Sequence, residues 1–220
     1  MEKLHLIWDM DGTLVDSEPE ILFTIQKSLA RIGVSMDAAI SKFRIGPPVR
    51  EVIRNAFPVT VLSDEQLDEA VKAFRVIYDS SDYEDTKPFE GIDELMYDSR
   101  YIHHVITNKP FYATNRILEK KGWHGKVVDV ITPDSHMEVY GKKMTKPEMF
   151  KYCRSAYPDV EMYGVGDMAL DAMSAIESGI PAIGVLWGTG TCEELMEAGC
   201  QYIVENVKQL RVILERLCND

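Results

Sequence analysis

Short apolar runs rich in Val and Ile recur along the chain, and segments of helical period separate most of them. This alternation is what most narrows the fold. The runs cover residues 4–8, 102–107, 127–132, 162–165, 182–186 and 202–204, each the length of a strand fully buried in a sheet. Apolar positions recur at helical spacing over 111–121, 146–155, 169–178, 192–198 and 207–217. Strands joined through helices pair in parallel, and a parallel sheet is covered by helices on both faces, so its strands are apolar throughout. The expected fold is therefore α/β, with a Rossmann-like parallel sheet as its core.

Residues 17–87 break the alternation. They contain no convincing strand, and three stretches have helical character: 21–32, 48–57 after a proline-marked start, and 63–78. The expectation is a core made of 1–16 and 88–220 with a helical subdomain, 17–87, inserted into it. Ser17 with Glu20, Ser63 with Gln66 and Thr191 with Glu194 have the spacing of capping boxes, while Gly33, Gly122, Gly179 and Gly199 follow helical runs as stops.

In a doubly wound sheet ligands collect beyond the C-terminal ends of the strands. The first strand is followed by Asp9-Met10-Asp11-Gly12-Thr13. Two carboxylates on one turn repel unless a cation intervenes, which points to a hard divalent metal such as Mg2+, or else to a solvated turn capping the next helix. Thr107-Asn108-Lys109-Pro110 follows the second strand and offers a hydroxyl and an amide at a helix start, suited to an anion or simply to capping. Lys146 stands at another helix start, where its charge opposes the macrodipole and calls for either solvent or a local partner. Asp167 follows a later strand, with Asp171 four residues on and on the same helical face. As a set, these residues describe a site for a divalent metal and a phosphate.

Other chemistries lack support in the residues. Lys and Arg number 24 against 36 Asp and Glu, a net charge of −12 without a basic run, which argues against a nucleic-acid polymer or an anionic membrane as partner. The apolar runs fall far short of the roughly 20 residues needed to span a bilayer, and the N-terminus lacks the features of a secretory signal, so the cytoplasm is expected. Cys153, Cys192, Cys200 and Cys218 form no CxxC pair and read as reduced thiols. Gly164-Val165-Gly166 has no third glycine at dinucleotide-loop spacing, and a GxxxxGK[ST] loop is absent from the sequence. His103 and His104 are neighbours on a strand, face opposite sides and read as structural.

In order and spacing, Asp9-Met10-Asp11-Gly12-Thr13-Leu14, Thr107-Asn108, Lys146-Pro147 and Gly166-Asp167 through Asp171 to Ala175 resemble the four motifs of the haloacid dehalogenase superfamily. The resemblance spans essentially the whole chain, and 17–87 resembles that superfamily's small helical cap. It implies Asp9 as a nucleophile forming an aspartyl-phosphate and Asp11 as the acid and base. Mg2+ would be held by Asp9, the Asp11 carbonyl and Asp167, with Asp171 supporting the metal shell or Lys146. Phosphate oxygens would be bound by Thr107, Asn108, Lys146 and the amides of Met10 and Asp11.

Asp11 argues for phosphate chemistry over dehalogenation, and Thr107-Asn108-Lys109-Pro110 differs from the Ser-Ala second motif of the superfamily's β-phosphoglucomutases. The segment 44–50, with Gly46, Pro47, Pro48 and Arg50, resembles a cap specificity loop. The expected substrate is a small phosphorylated metabolite, either phosphoglycolate or a 5'-nucleotide. A phosphosugar mutase or a non-catalytic binding member is the weaker alternative. Arg50 would either meet a substrate carboxylate or lie in solvent.

Overall fold

The computed structural model describes residues 3–36 and 43–219 and divides the chain into two compact units, Met1–Asp16 with Pro88–Asp220, and Ser17–Lys87. Residues 37–42 of the expected insertion lie outside the described residues. The elements in chain order begin with β1 (Leu4–Trp8), β2 (Val15–Asp16), α1 (Glu18–Arg31), α2 (Val49–Ala56), α3 (Asp64–Asp79) and β3 (Lys87–Pro88). Next come α4 (Ile92–Met96), β4 (Tyr101–Ile106), α5 (Phe111–Lys120), β5 (Val127–Ile131), α6 (Met137–Tyr140) and α7 (Lys146–Ala156). The chain closes with β6 (Met162–Gly166), α8 (Ala169–Glu177), β7 (Ala182–Val185), α9 (Cys192–Glu197), β8 (Tyr202–Val204) and α10 (Val207–Leu217).

Six strands form one sheet in the order β5-β4-β1-β6-β7-β8, and every pairing is parallel. The chain moves outward from β1 through β4 to β5 and then crosses to β6, so the strand order reverses beside β1. A parallel sheet leaves a crevice outside the C-terminal ends of its strands at such a reversal. All residues of β1 and β6 are buried. Leu6, Ile7 and Trp8 are fully buried, and each side chain of this kind stabilises the fold by about 1.5–3 kcal/mol. Register aligns Trp8 with Val105 of β4 and Val165 of β6, so Asp9, Thr107 and Asp167 emerge at one level of the sheet edge. The edge is closed in part by Asp9, whose amide donates to Val165 O at 2.9 Å.

In the second unit, α1 buries Ile21, Thr24, Ile25, Ser28 and Leu29 and α3 buries Leu67, Ala70, Phe74 and Tyr78, each set along one helical face. The capping boxes at Ser63 and Gln66 and at Thr191 and Glu194 are formed, and Gly33 ends α1 in left-handed backbone at φ 75. The Ser17 and Glu20 box is not formed, because Glu20 has a stronger claim elsewhere. Its buried carboxylate accepts from Ser81 Oγ at 2.6 Å and the Asp85 amide at 3.1 Å. Among the described residues no helix is long and apolar enough to cross a membrane, and the four cysteines are free thiols.

Successive residues of β4 do face opposite sides. His103 Nδ1 accepts from Trp8 Nε1 at 3.0 Å, while His104 Nε2 lies 2.8 Å from His5 Nδ1 and its Nδ1 lies 3.4 Å from Asp129. Burial, and next to it the neighbouring imidazole, pushes both His103 and His104 down to about 4. In the unfolded chain they titrate near 6.5. The native state therefore takes up fewer protons than the unfolded state between these values, and the stabilising contribution present above pH 6.5 declines as the pH falls toward 4. The urea midpoint should fall across that window. His104→Asn should lower the midpoint at pH 7 yet make its acid decline shallower; an unchanged slope would remove His104 from the acid response.

Candidate active site

The loop after β1 is tight: Gly12 donates to Val15 O at 2.9 Å, and Leu14 and Val15 both donate to Met10 O, at 3.0 and 3.1 Å. Met10 is fully buried, so the loop is pinned through its side chain. Gly12 has φ 83, and a Cβ there would lie 2.5 Å from Asp167 Oδ2. Backbone conformation and space both require glycine at this point.

Lys146 opens α7 and is buried, which explains a cation at a helix N-terminus: its Nζ lies 2.7 Å from Asp9 Oδ1 and also touches Asp171 Oδ1. Burial presses the ammonium toward neutrality, but the Asp171 and Asp9 carboxylates outweigh it and hold Lys146 above the ordinary lysine value. One ammonium thus serves two carboxylates. Burial, opposed by Lys146 and reinforced by Asp171, pushes Asp9 up to about 7. Asp171 is also raised, chiefly by burial, and its Oδ2 accepts from the Met168 amide at 3.0 Å.

Asp167 follows β6 and is buried. Thr13 Oγ1 donates to its Oδ1 at 3.0 Å, while the Thr189 amide and hydroxyl donate to Oδ2 at 2.8 and 3.1 Å. Burial first, then the Asp9 charge, raises Asp167 above the usual carboxylate range. The loop behind it has no spare volume: a Cβ on Gly188 would lie 2.3 Å from Asp167 Oδ2, and one on Gly190 only 1.8 Å from the Asp167 carbonyl oxygen. Trp187 Nε1 donates to Thr13 O at 3.0 Å and ties this loop to the one after β1.

At the end of β4, Thr107 is buried and its hydroxyl accepts from the Lys109 amide at 3.2 Å, with Asn108 half-buried in the same turn. Lys109 is itself buried, and its Nζ lies 3.0 Å from Asp11 Oδ1. Gly46 and Arg50 belong to the second unit. There Arg50 donates through Nε and Nη2 to Asp68 Oδ1 at 3.2 and 2.9 Å and is about half exposed, so its carboxylate partner comes from α3.

Asp9, Asp167 and Asp171 each place a carboxylate oxygen within 4.8 Å of the others, and all three are buried. The Asp11 side chain is engaged by Lys109. An all-oxygen set of several carboxylates fits a hard divalent cation of the Mg2+ type, and the raised Asp9, Asp167 and Asp171 are what such a charge would relieve. The sequence marks Asp9, Asp11, Thr107, Asn108, Lys146, Asp167 and Asp171 by their place after strands or at a helix start. Nothing in the sequence marks the roles of Thr13, Lys109 and Thr189, although Thr13 and Lys109 stand within the motifs after the first two strands.

Residues 6–185 match the family model described as haloacid dehalogenase-like hydrolase. A phosphoglycolate phosphatase of Xylella fastidiosa is 26% identical over 197 residues, 86% of this chain and 82% of that protein. A 5'-nucleotidase of Pseudomonas aeruginosa is 25% identical over 219 residues, 96% of this chain and 95% of the other. A crystal structure described as a predicted phosphatase from Clostridium acetobutylicum aligns with a TM-score of 0.80 at 26% identity, covering 98% of this chain and 100% of that one.

The hydrogen bonds to Asp167 yield a direct expectation. Removing a partner that orients a metal-binding carboxylate typically costs 10- to 100-fold in metal affinity. Should Asp167 hold Mg2+ as expected, Thr189→Val, which keeps the amide and loses the hydroxyl, weakens Mg2+ binding by about tenfold in calorimetry. An unchanged Kd would mean that the amide and Thr13 suffice.

Proposed function

This chain belongs to the haloacid dehalogenase-like hydrolase family, and on that footing we propose that it cleaves the phosphate monoester of a small metabolite through a phosphorylated Asp9. As a class it is a phosphoric monoester hydrolase. The observation that carries the proposed route is the Asp9 carboxylate, set at the strand-order reversal 2.7 Å from the buried Lys146 ammonium and beside Asp167 and Asp171.

In the proposed reaction a carboxylate oxygen of Asp9 attacks phosphorus, and the bond to the ester oxygen breaks. That oxygen keeps the electron pair and takes a proton from Asp11. Water then attacks the aspartyl-phosphate and gives its proton to Asp11. The bond from phosphorus to Asp9 breaks, its electron pair returns to the carboxylate, and inorganic phosphate leaves. Lys146, the Thr107 hydroxyl and the amides of Met10, Asp11 and Asn108 bind the equatorial oxygens, where the transition-state charge resides. Asp9, the Asp11 carbonyl and Asp167 would hold Mg2+, with Asp171 in support, and the ion would offset repulsion between the carboxylate and the phosphate dianion.

Phosphoglycolate is the proposed substrate class, supported by the similarity to phosphoglycolate phosphatase. A 5'-nucleotide is the second reading, favoured by the 5'-nucleotidase that aligns over nearly the full length of both chains. We assign the choice to the helical insertion 17–87, which holds none of the groups that act on the phosphoryl unit, and the reaction to the cytoplasm, in keeping with the free thiols.

Asp9→Asn should lower kcat by about a thousandfold or more on every ester, read as Mg2+-dependent phosphate release. Turnover well above that level by a folded variant would end the covalent assignment. Arg50→Ala should change the ratio of kcat/KM for phosphoglycolate, a 5'-nucleotide and p-nitrophenyl phosphate by about tenfold if Arg50 discriminates among them. A uniform change would reduce Arg50 to its contact with Asp68.

A further inference from the structure

We propose that Lys109 is a positioning residue for proton transfer, holding the Asp11 carboxylate in the orientation from which it serves the ester oxygen. The inference rests on the reading of Asp11 as acid and base and adds a residue to that machinery. Lys109 Nζ lies 3.0 Å from Asp11 Oδ1, with the lysine side chain 4% exposed and the aspartate 12%. Lysine is seldom so buried, because an ammonium out of water is costly unless a carboxylate faces it closely.

The backbone leaves little play in this arrangement. The Lys109 amide is bonded to Thr107 Oγ1 at the end of β4, and the next residue, Pro110, caps α5 with φ −59. The ammonium is therefore carried by a turn that is fixed on both sides. Lys146 cannot take its place, since it is engaged with Asp9 and Asp171. Four carboxylates, Asp9, Asp11, Asp167 and Asp171, gather beyond the strand ends with two buried ammoniums, and each ammonium has its own carboxylate partners. Gripping one oxygen restrains rotation of the carboxyl group, which fixes where the second oxygen meets the departing group. Misplacement of a reacting group by an ångström can cost about a hundredfold in rate.

Two kinds of leaving group separate this role from a general one. A p-nitrophenolate departs without a proton, whereas an alkoxide requires one. The comparison uses p-nitrophenyl phosphate and the fastest alkyl ester that the wild type hydrolyses among phosphoglycolate, a 5'-nucleotide and glycerol phosphate, at saturating Mg2+. Lys109→Met should lose about a hundredfold in kcat/KM on the alkyl ester and less than about tenfold on p-nitrophenyl phosphate, because kcat/KM reports formation of the aspartyl-phosphate and not the hydrolysis step that both esters share. Lys109→Arg, which keeps the charge, should recover part of the alkyl activity. Equal losses on both esters, or no loss on either, would overturn the proposal. Should Lys109→Met fail to fold by circular dichroism, Lys109→Gln and Lys109→Arg provide the same comparison. If Asp11→Asn spares the alkyl ester, the parent reading of Asp11 is at fault. If Asp11→Asn impairs it selectively while Lys109→Met does not, only the inference about Lys109 fails.

Discussion

A buried ammonium costs several kcal/mol unless carboxylates surround it, and Lys146 meets that condition through two elements that are far apart in sequence. Asp9 comes from the end of β1 and Asp171 from the first turn of α8, while Lys146 itself begins α7. The three charges therefore hold the central strand and two covering helices in one arrangement. Removing Lys146 would deprive both carboxylates of this partner in a dry interior. Two of these groups, Asp9 and Lys146, meet the phosphoryl unit in the proposed reaction, so packing and chemistry draw on shared contacts.

That set lies where the sheet topology creates room. Parallel strands end together, and the reversal of order between β4, β1 and β6 opens a crevice at that edge. Asp9, Thr107 and Asp167 arrive there because each is the first or nearly the first residue past its strand. Gly166 lets α8 come close: a Cβ at that position would lie 2.3 Å from Asp171 Cβ.

The sheet was legible because strands buried on both faces leave a near-continuous apolar trace, as in β1, β6 and β7, while the edge strands β5 and β8 are only partly buried. The acids were legible because they stand beside those traces. Contacts between distant segments left no such mark. Nothing near Lys109 in sequence indicates Asp11, and Thr189 reaches Asp167 only because the loop after β7 folds back beside β6. Ser17 and Glu20 show the opposite case, a correct local pattern overridden when the segment at 81–86 claimed the glutamate. The short helices α4 and α6 span too few residues to display a period.

Gly188 and Gly190 flank the one side chain that the loop behind Asp167 projects toward it. Any methyl group added on either side would collide with the carboxylate or its own main chain. The loop is thus closed to gradual variation: it can keep its backbone path or be rebuilt as a whole, but it offers no stepwise route by which drift or design could reshape the pocket from behind. New substrate preferences would have to arise outside this loop.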